Sequence, residues 1–149
     1  MTAYKKPWFK RKRTWFLLFV LTFMGLFIST LPKELPRNVA YLAKAYSEPE
    51  ICEEALAITK NAPKILTLLG ELEPMGKLDM LNGSVGYSKG GDSVAITIDV
   101  RGDKKIKNIR SKMDVLAEKV NGKWEYRNIK VRIKQPLEMK QTIPILNKQ

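Results

Sequence analysis

From Ser93 to Lys134 the chain reads SVAITIDVRGDKKIKNIRSKMDVLAEKVNGKWEYRNIKVRIK, and this stretch decides the fold. Val94, Ile96, Ile98 and Val100 alternate with Ser93, Ala95, Thr97 and Asp99, the period of a half-buried strand. Arg101-Gly102-Asp103 turns the chain. Ile109, Met113, Val115 and Ala117 then share one phase, predicting a second strand around Ile109 to Lys119. Asn121-Gly122 is the dipeptide that a two-residue hairpin prefers, because both central residues need positive φ. The strand Lys123 to Lys134 follows. Its apolar phase slips by one residue, from Trp124 and Tyr126 to Ile129, Val131 and Ile133. A β-bulge near Arg127-Asn128 accounts for the slip, since one extra residue returns both sets to the same face.

Working upstream, Leu81 to Tyr87 reads as another strand, with Ser88 to Asp92 as its turn. No Pro occurs from Met75 to Gln135, and eight of the nine Gly lie between Gly70 and Gly122. Strands joined by tight turns fit that distribution, because Pro cannot serve a central strand. Before them comes a helix pattern. Ser47 is placed to cap it, Glu50 follows three residues on and Pro49 falls in the first turn. Ile51, Ala55 and Ile58 share a face, with Cys52, Leu56 and Thr59 beside it. Asn61-Ala62-Pro63 marks a kink or a fresh cap. Ile65, Leu66 and Leu69 continue the apolar side, and Gly70 suits the position just past the helix. The expected fold class is α+β, a helix packed on an antiparallel β-meander of about four strands. Downstream, residues 135–149 contain Pro136 and Pro144 and are expected to form an irregular tail or an edge element.

The N-terminal third differs in composition. All five Phe lie between Phe9 and Phe27, and no acidic residue precedes Glu34. Thr14 to Leu31 carries no charge. Its apolar residues are Trp15, Phe16, Leu17, Leu18, Phe19, Val20, Leu21, Phe23, Leu26, Phe27 and Ile28, closed by Leu31. Eighteen helical residues reach about 27 Å, close to a hydrocarbon core of about 30 Å. Eleven Leu, Ile, Phe and Val residues favour insertion by about 3–7 kcal/mol before Thr22, Gly25 and Ser29 subtract. Six basic residues, Lys5, Lys6, Lys10, Arg11, Lys12 and Arg13, precede the run. The positive-inside bias therefore keeps the N-terminus in the cytoplasm and delivers the rest to the periplasmic side of the inner membrane. A cleaved signal peptide usually has a shorter apolar region ending at a small-x-small site. The nearest Ala-x-Ala, Ala43 to Ala45, lies well beyond this run, so an uncleaved single-pass anchor is the expected reading. The resulting division is a basic arm at 1–13, a membrane helix at 14–31, a linker at 32–46, an exported α+β domain at 47–134 and a tail at 135–149. Within the linker, Val39 to Ala45 is rich in Ala and suits a helix near the membrane.

The catalytic inventory is thin. Among 149 residues there are 27 Lys+Arg, 15 Asp+Glu, one Cys and no His. Without His, the Ser-His-Asp and Cys-His triads and His-ligated metals are excluded. A single Cys excludes internal disulfides and CxxC redox chemistry. Cys52, among apolar neighbours, reads as a small buried hydrophobe rather than a ligand. Met75, Met80, Met113 and Met139 read as core, since they form no MxxM run for copper. Glu53 and Glu54 point about 100° apart on a helix, which is poor for paired acid–base work. They and Glu71-x-Glu73 read as solvated surface. No cofactor is expected.

The densest basic stretch beyond the anchor is Lys104, Lys105, Lys107, Arg110 and Lys112. It reads either as a Lys-guarded strand edge or as a surface for lipid headgroups or an acidic protein. It has no interleaved aromatics for base stacking, so nucleic acid is not expected as a partner. Trp124 is the candidate aromatic contact on a neighbouring face. Gly83-Ser84-Val85-Gly86 lacks the Lys-Ser/Thr of a phosphate loop and reads as strand and turn glycine.

The order of these elements resembles the cytochrome c oxidase complex assembly protein 1 family, including its bacterial members. The residues that carry the resemblance are Leu68-Leu69-Gly70-Glu71-Leu72-Glu73-Pro74 after the helix, Val94 to Val100 followed by Arg101-Gly102-Asp103-Lys104, and Asn121-Gly122-Lys123-Trp124-Glu125-Tyr126. It spans roughly residues 14 to 134. Two features depart from the family pattern. Pro74 falls one position later than the pattern has it, and the Lys-rich loop 104–112 replaces a stretch richer in Gly. The resemblance implies a non-catalytic, membrane-anchored factor that holds subunits of a respiratory complex at the outer face of the membrane. It transfers no catalytic residue. Two other classes stand beside it. One is a tethered domain that binds a ligand or lipid in a helix-on-sheet cleft, unrelated to oxidase. The other is an enzyme using Lys, Tyr or carboxylates, which would need a converging cluster of such residues.

Overall fold

The apolar run forms one uninterrupted helix, α1 (Lys12–Thr30), with no buried residue along its 19 positions. The computed structural model describes residues 12–30, 32–33, 35–76, 78–103 and 109–148. The chain divides into two compact units, Met1–Pro36 and Arg37–Gln149. Helix α1 is long and apolar enough to cross a membrane, with a mean hydropathy of 1.6. Three of its four hydroxyls turn inward on the helix itself. Thr22, Ser29 and Thr30 donate to the carbonyls of Leu18, Leu26 and Phe27 at 2.8, 2.7 and 2.7 Å. Each polar group is thereby satisfied without water, as an apolar surrounding requires. The helix starts two residues before the expected boundary, and Leu31 lies outside the described residues.

The second unit is helical first and then all strand. Helices α2 (Leu35–Ser47), α3 (Glu50–Lys60) and α4 (Pro63–Leu68) precede β1 (Ser84–Tyr87), β2 (Ser93–Val100), β3 (Arg110–Val120), β4 (Lys123–Gln135) and β5 (Gln141–Asn147). The strands form one antiparallel sheet in the order β1-β2-β3-β4-β5. The α+β class is as expected, and the strand count is corrected from about four to five. The segment 135–149 supplies the fifth strand. It takes the edge-element alternative, reached through a single 3-10 turn at Leu137–Met139. Its Pro144 is tolerated because β5 lies at the sheet edge, where a missing N–H faces no partner.

Three local expectations are revised. The helix expected at Val39 to Ala45 is present, but longer, and α2 runs over Leu35–Ser47. Ser47 ends α2 and its hydroxyl donates to the Lys44 carbonyl at 2.6 Å. It therefore does not cap α3, whose N-cap is Pro49 with no side-chain cap. The long helix pattern divides at Asn61-Ala62. Ala62 is extended (φ −78°, ψ 119°) and Pro63 begins α4, where its absent N–H costs nothing. Strand β1 begins at Ser84 rather than Leu81, because residues 78–82 are consumed by turns.

The two register signals are both present. Asn121 and Gly122 have φ of 51° and 80°, the positive values of a type I′ turn, and Val120 pairs with Lys123. Leu116 then faces Asn128 while Ala117 faces Tyr126, so Arg127 is the extra residue. Tyr126, Ile129, Val131 and Ile133 all reach the helix side, where all four are buried.

The core fills the space between α3–α4 and one sheet face. Ile51, Cys52, Ala55, Thr59 and Ile65 meet Ile98, Met113, Ala117, Ile129 and Val131, all with no measurable exposure. Each fully buried Ile contributes about 1.5–3 kcal/mol. The Thr59 hydroxyl is satisfied by the Ala55 carbonyl at 2.8 Å and lies 3.2 Å from Met113 Sδ. Gly102 fastens the helical layer to the sheet. A Cβ there would stand 2.0 Å from the Leu69 carbonyl oxygen, so only glycine allows β2 to end this close to α4. Glu73 N–H donates to Arg101 O and Asp103 N–H to Glu71 O, both at 2.8 Å.

Candidate interaction surfaces

The helices cover one face of the sheet, and the opposite face carries its polar residues. Alternation along β2, β3 and β4 places Thr97, Asp114 and Arg132 together there. Thr97 Oγ1 donates to Asp114 Oδ1 at 2.8 Å. Arg132 grips the same carboxylate with two N–H groups at 2.5 Å each. Partial burial works to raise the Asp114 pKa, but the bonds from Arg132 and Thr97 outweigh it and hold the carboxyl below its ordinary value. The arrangement is a fixed fork across two strands.

The ends of β2 and β4 and the starts of β3 and β5 meet at one end of the sheet. Asp99, Val100, Arg101, Ile109, Arg110, Ser111, Lys112, Lys134 and Gln135 line a shallow groove of about 570 Å³ there. A neighbouring depression of about 580 Å³ is lined by Arg132, Ile133, Lys134, Lys140, Gln141 and Thr142. Six of the side chains along these two depressions are cationic and one, Asp99, is anionic; Arg101, Lys112 and Arg132 are ion-paired to Asp79, Asp99 and Asp114, which leaves Arg110, Lys134 and Lys140 to carry the positive character. This is a wide cationic surface, suited to an acidic partner.

The sequence-predicted basic cluster is only partly part of this surface. Lys104, Lys105 and Lys107 lie outside the described residues. Arg110 is exposed at the first position of β3. Lys112 is committed elsewhere. Its Nζ lies 3.1 Å from Asp99 Oδ1 and donates to the Asn82 carbonyl at 2.6 Å. It therefore ties β3 to the turn before β1. The expectation of a Lys-guarded strand edge is corrected, since β3 is the central strand of five. Sequence reasoning missed Arg101, Lys134 and Lys140, which are scattered in sequence and converge only through the strand order.

Trp124 sits at the other end, half-buried in an aromatic corner. Its ring lies 6.4 Å from Tyr87, which lies 5.6 Å from Tyr41 of α2. Lys44 Nζ stands 4.3 Å over the Tyr87 ring and Lys119 Nζ 5.3 Å over Trp124. These contacts join α2 to the sheet and make Trp124 mainly a packing residue.

Cys52 is buried, as the sequence implies, and burial, with Glu53 adding to it, pushes its thiol up to about 11. Tyr126 shares its hydroxyl between Ile51 O at 3.0 Å and Glu54 Oε2 at 3.1 Å. Glu54 thus braces β4 rather than being simply solvated surface. Met80 and Met113 are buried, and Met75 and Met139 pack against the core. Among the described residues, no three His, Cys, Asp or Glu side chains are grouped to hold a metal ion. Between Leu56, Ile98, Val100 and the Pro74–Asp79 turn there is a cavity of about 10 Å³, room for a single water at most. Comparison of the chain with protein-family models, curated proteins and solved structures returns no match.

Proposed function

We propose that this chain is a non-catalytic, membrane-anchored docking factor. It would hold an acidic surface of a partner membrane protein, a subunit of cytochrome c oxidase or a related respiratory complex, at the outer face of the inner membrane. The observation that carries the reading is α1, an apolar helix with every residue unburied, attached to a folded domain that bears a cationic groove at one end of its sheet. The respiratory client comes from the sequence resemblance. Tethering explains how so shallow a groove suffices. Confinement to the bilayer raises the local concentration of domain and client to about the millimolar range, so weak contacts become occupied. The helix–sheet interface is packed with Ile51, Ile65, Ile98 and Met113. This filling favours surface docking over the alternative of a ligand enclosed in a helix-on-sheet cleft.

Affinity capture of the full chain from gently solubilised membranes tests the reading. Respiratory-complex subunits should be recovered well above background. A double charge reversal, Arg110→Glu with Lys134→Glu, should cut that recovery several-fold while both exposed sites leave folding intact. Recovery of no respiratory subunit rejects the client. Recovery that is indifferent to the charge reversal rejects the groove.

A further inference from the structure

Helix α2 has an apolar stripe that its own domain does not cover. On the side that packs inward, Ala45 is buried and Tyr41 and Leu42 lean on the core. Lys44 also leans inward, onto Tyr87. Leu35, Val39 and Ala43 recur at four-residue spacing along the flank of this side: Val39 and Ala43 are turned about 120–160° from Tyr41 and Ala45, while Leu35, seven residues before Leu42, is in line with it. Leu35 and Val39 are 40% and 58% exposed. A helix that is apolar on two sides has two surroundings to satisfy, and the core supplies only one.

The chain itself says what lies beside the other. Helix α1 ends at Thr30 and α2 starts at Leu35. Those five residue steps span at most about 18 Å fully extended. With α1 across a bilayer, Leu35 therefore lies within about 18 Å of the hydrocarbon edge, and nearer than that because its N–H turns back to the Pro32 carbonyl at 2.9 Å. Lys33 and Arg37 flank this start, as suits anionic headgroups.

We infer that α2 is an in-plane interfacial helix, with Leu35, Val39 and Ala43 seated in the bilayer surface and the adjoining Tyr41–Ala45 side carrying the sheet domain. This rests on the reading of α1 as a membrane anchor.

The full chain, reconstituted in vesicles of phosphatidylethanolamine and phosphatidylglycerol, tests it with one bimane label per protein. Labels go at Leu35→Cys, Val39→Cys or Ala43→Cys, with controls at Asn38→Cys and at Lys89→Cys in the β1–β2 turn. Asn38 is exposed and turned about 100° from Val39. Cys52 is buried and stays unlabelled. Lipids carrying a quencher near the headgroup should quench the three stripe positions roughly twofold or more over both controls, as for side chains set about 5–10 Å into the interface. A sixth label at Phe19→Cys reports the anchor. If Phe19 is shielded from aqueous quencher while the stripe positions match the controls, the inference falls and the anchor stands; a protein is then the stripe's partner, or water covers it. If Phe19 is open to aqueous quencher, the anchor reading fails and takes the inference with it.

Discussion

Asp114 shows how much one side chain does on the uncovered face. It accepts from Thr97 on β2 and from Arg132 on β4 while standing on β3, so it links three strands. Its carboxyl is held below the ordinary value because the Arg132 and Thr97 bonds outweigh burial. A depressed carboxylate contributes stability above its unfolded pKa, and that contribution is lost as pH falls through the folded value. Asp114→Asn should therefore cost about 1–2 kcal/mol at neutral pH, toward the low end for charged hydrogen bonds because Arg132 is partly solvated. The gap between wild type and variant should hold down to about pH 5 and close below about pH 4. Urea unfolding of the two proteins across pH 3–7 measures it. A pH-independent gap would assign the loss to packing. This cluster was not legible in the sequence, although each residue's face was. The Asn121-Gly122 turn alone would set Asp114 against Ile129. The bulge at Arg127 moves Asp114 to Lys130 and brings Arg132 within reach. A one-residue slip exchanges the faces of a strand, so recognising the bulge does not by itself supply the pair.

At the scale of elements, β5 is the strongest test of the fold. The Pro residues of 135–149 left its state open between irregular tail and edge, because Pro argues against a central strand and is silent about an outer one. Pairing with β4 settles it. Val131 faces Ile143, Ile133 faces Gln141, and Ile143 is only 3% exposed. Truncation after Lys140 should remove this cover and turn β4, thirteen residues long, into an open edge. The loss of one buried Ile costs about 2–5 kcal/mol, and the freed edge is a template for pairing with other chains. The truncated protein should thus melt at a lower temperature and self-associate, visible by light scattering below its melting point. A truncated chain as stable and monodisperse as the full one would show β5 to be dispensable. The other elements were more legible. β2 and the β3–β4 hairpin announce themselves by alternation and by positive-φ turn residues. The middle of helix α2, Val39 to Ala45, was legible from its Ala content, while its ends were not, because Pro36 stands in its first turn and Ser47 reads as a cap for the next helix.

The whole molecule is organised by charge along the chain. Six cations lie before α1 or in its first turn and no carboxylate balances them, while the rest of the +12 is spread over the folded part. Each Lys or Arg forced through hydrocarbon costs about 2.5–3.5 kcal/mol on insertion scales. On the proposed topology the basic arm would be the end that stays behind, and the folded unit, less densely charged near the helix, the end that crosses. An alkaline phosphatase fused to the C-terminus, active only after export, should be active on the wild-type chain. Replacing Lys5, Lys6, Lys10, Arg11, Lys12 and Arg13 by Gln leaves Lys33, Arg37 and Lys44 as the nearest cations, on the other flank of α1. The bias then reverses, and phosphatase activity should fall several-fold at equal protein level. An inactive wild-type fusion would place the folded unit in the cytoplasm and remove the outer-face docking role with it. An active fusion that ignores the Gln replacements would keep the topology and shift its cause from the arm to the folding of the domain that follows.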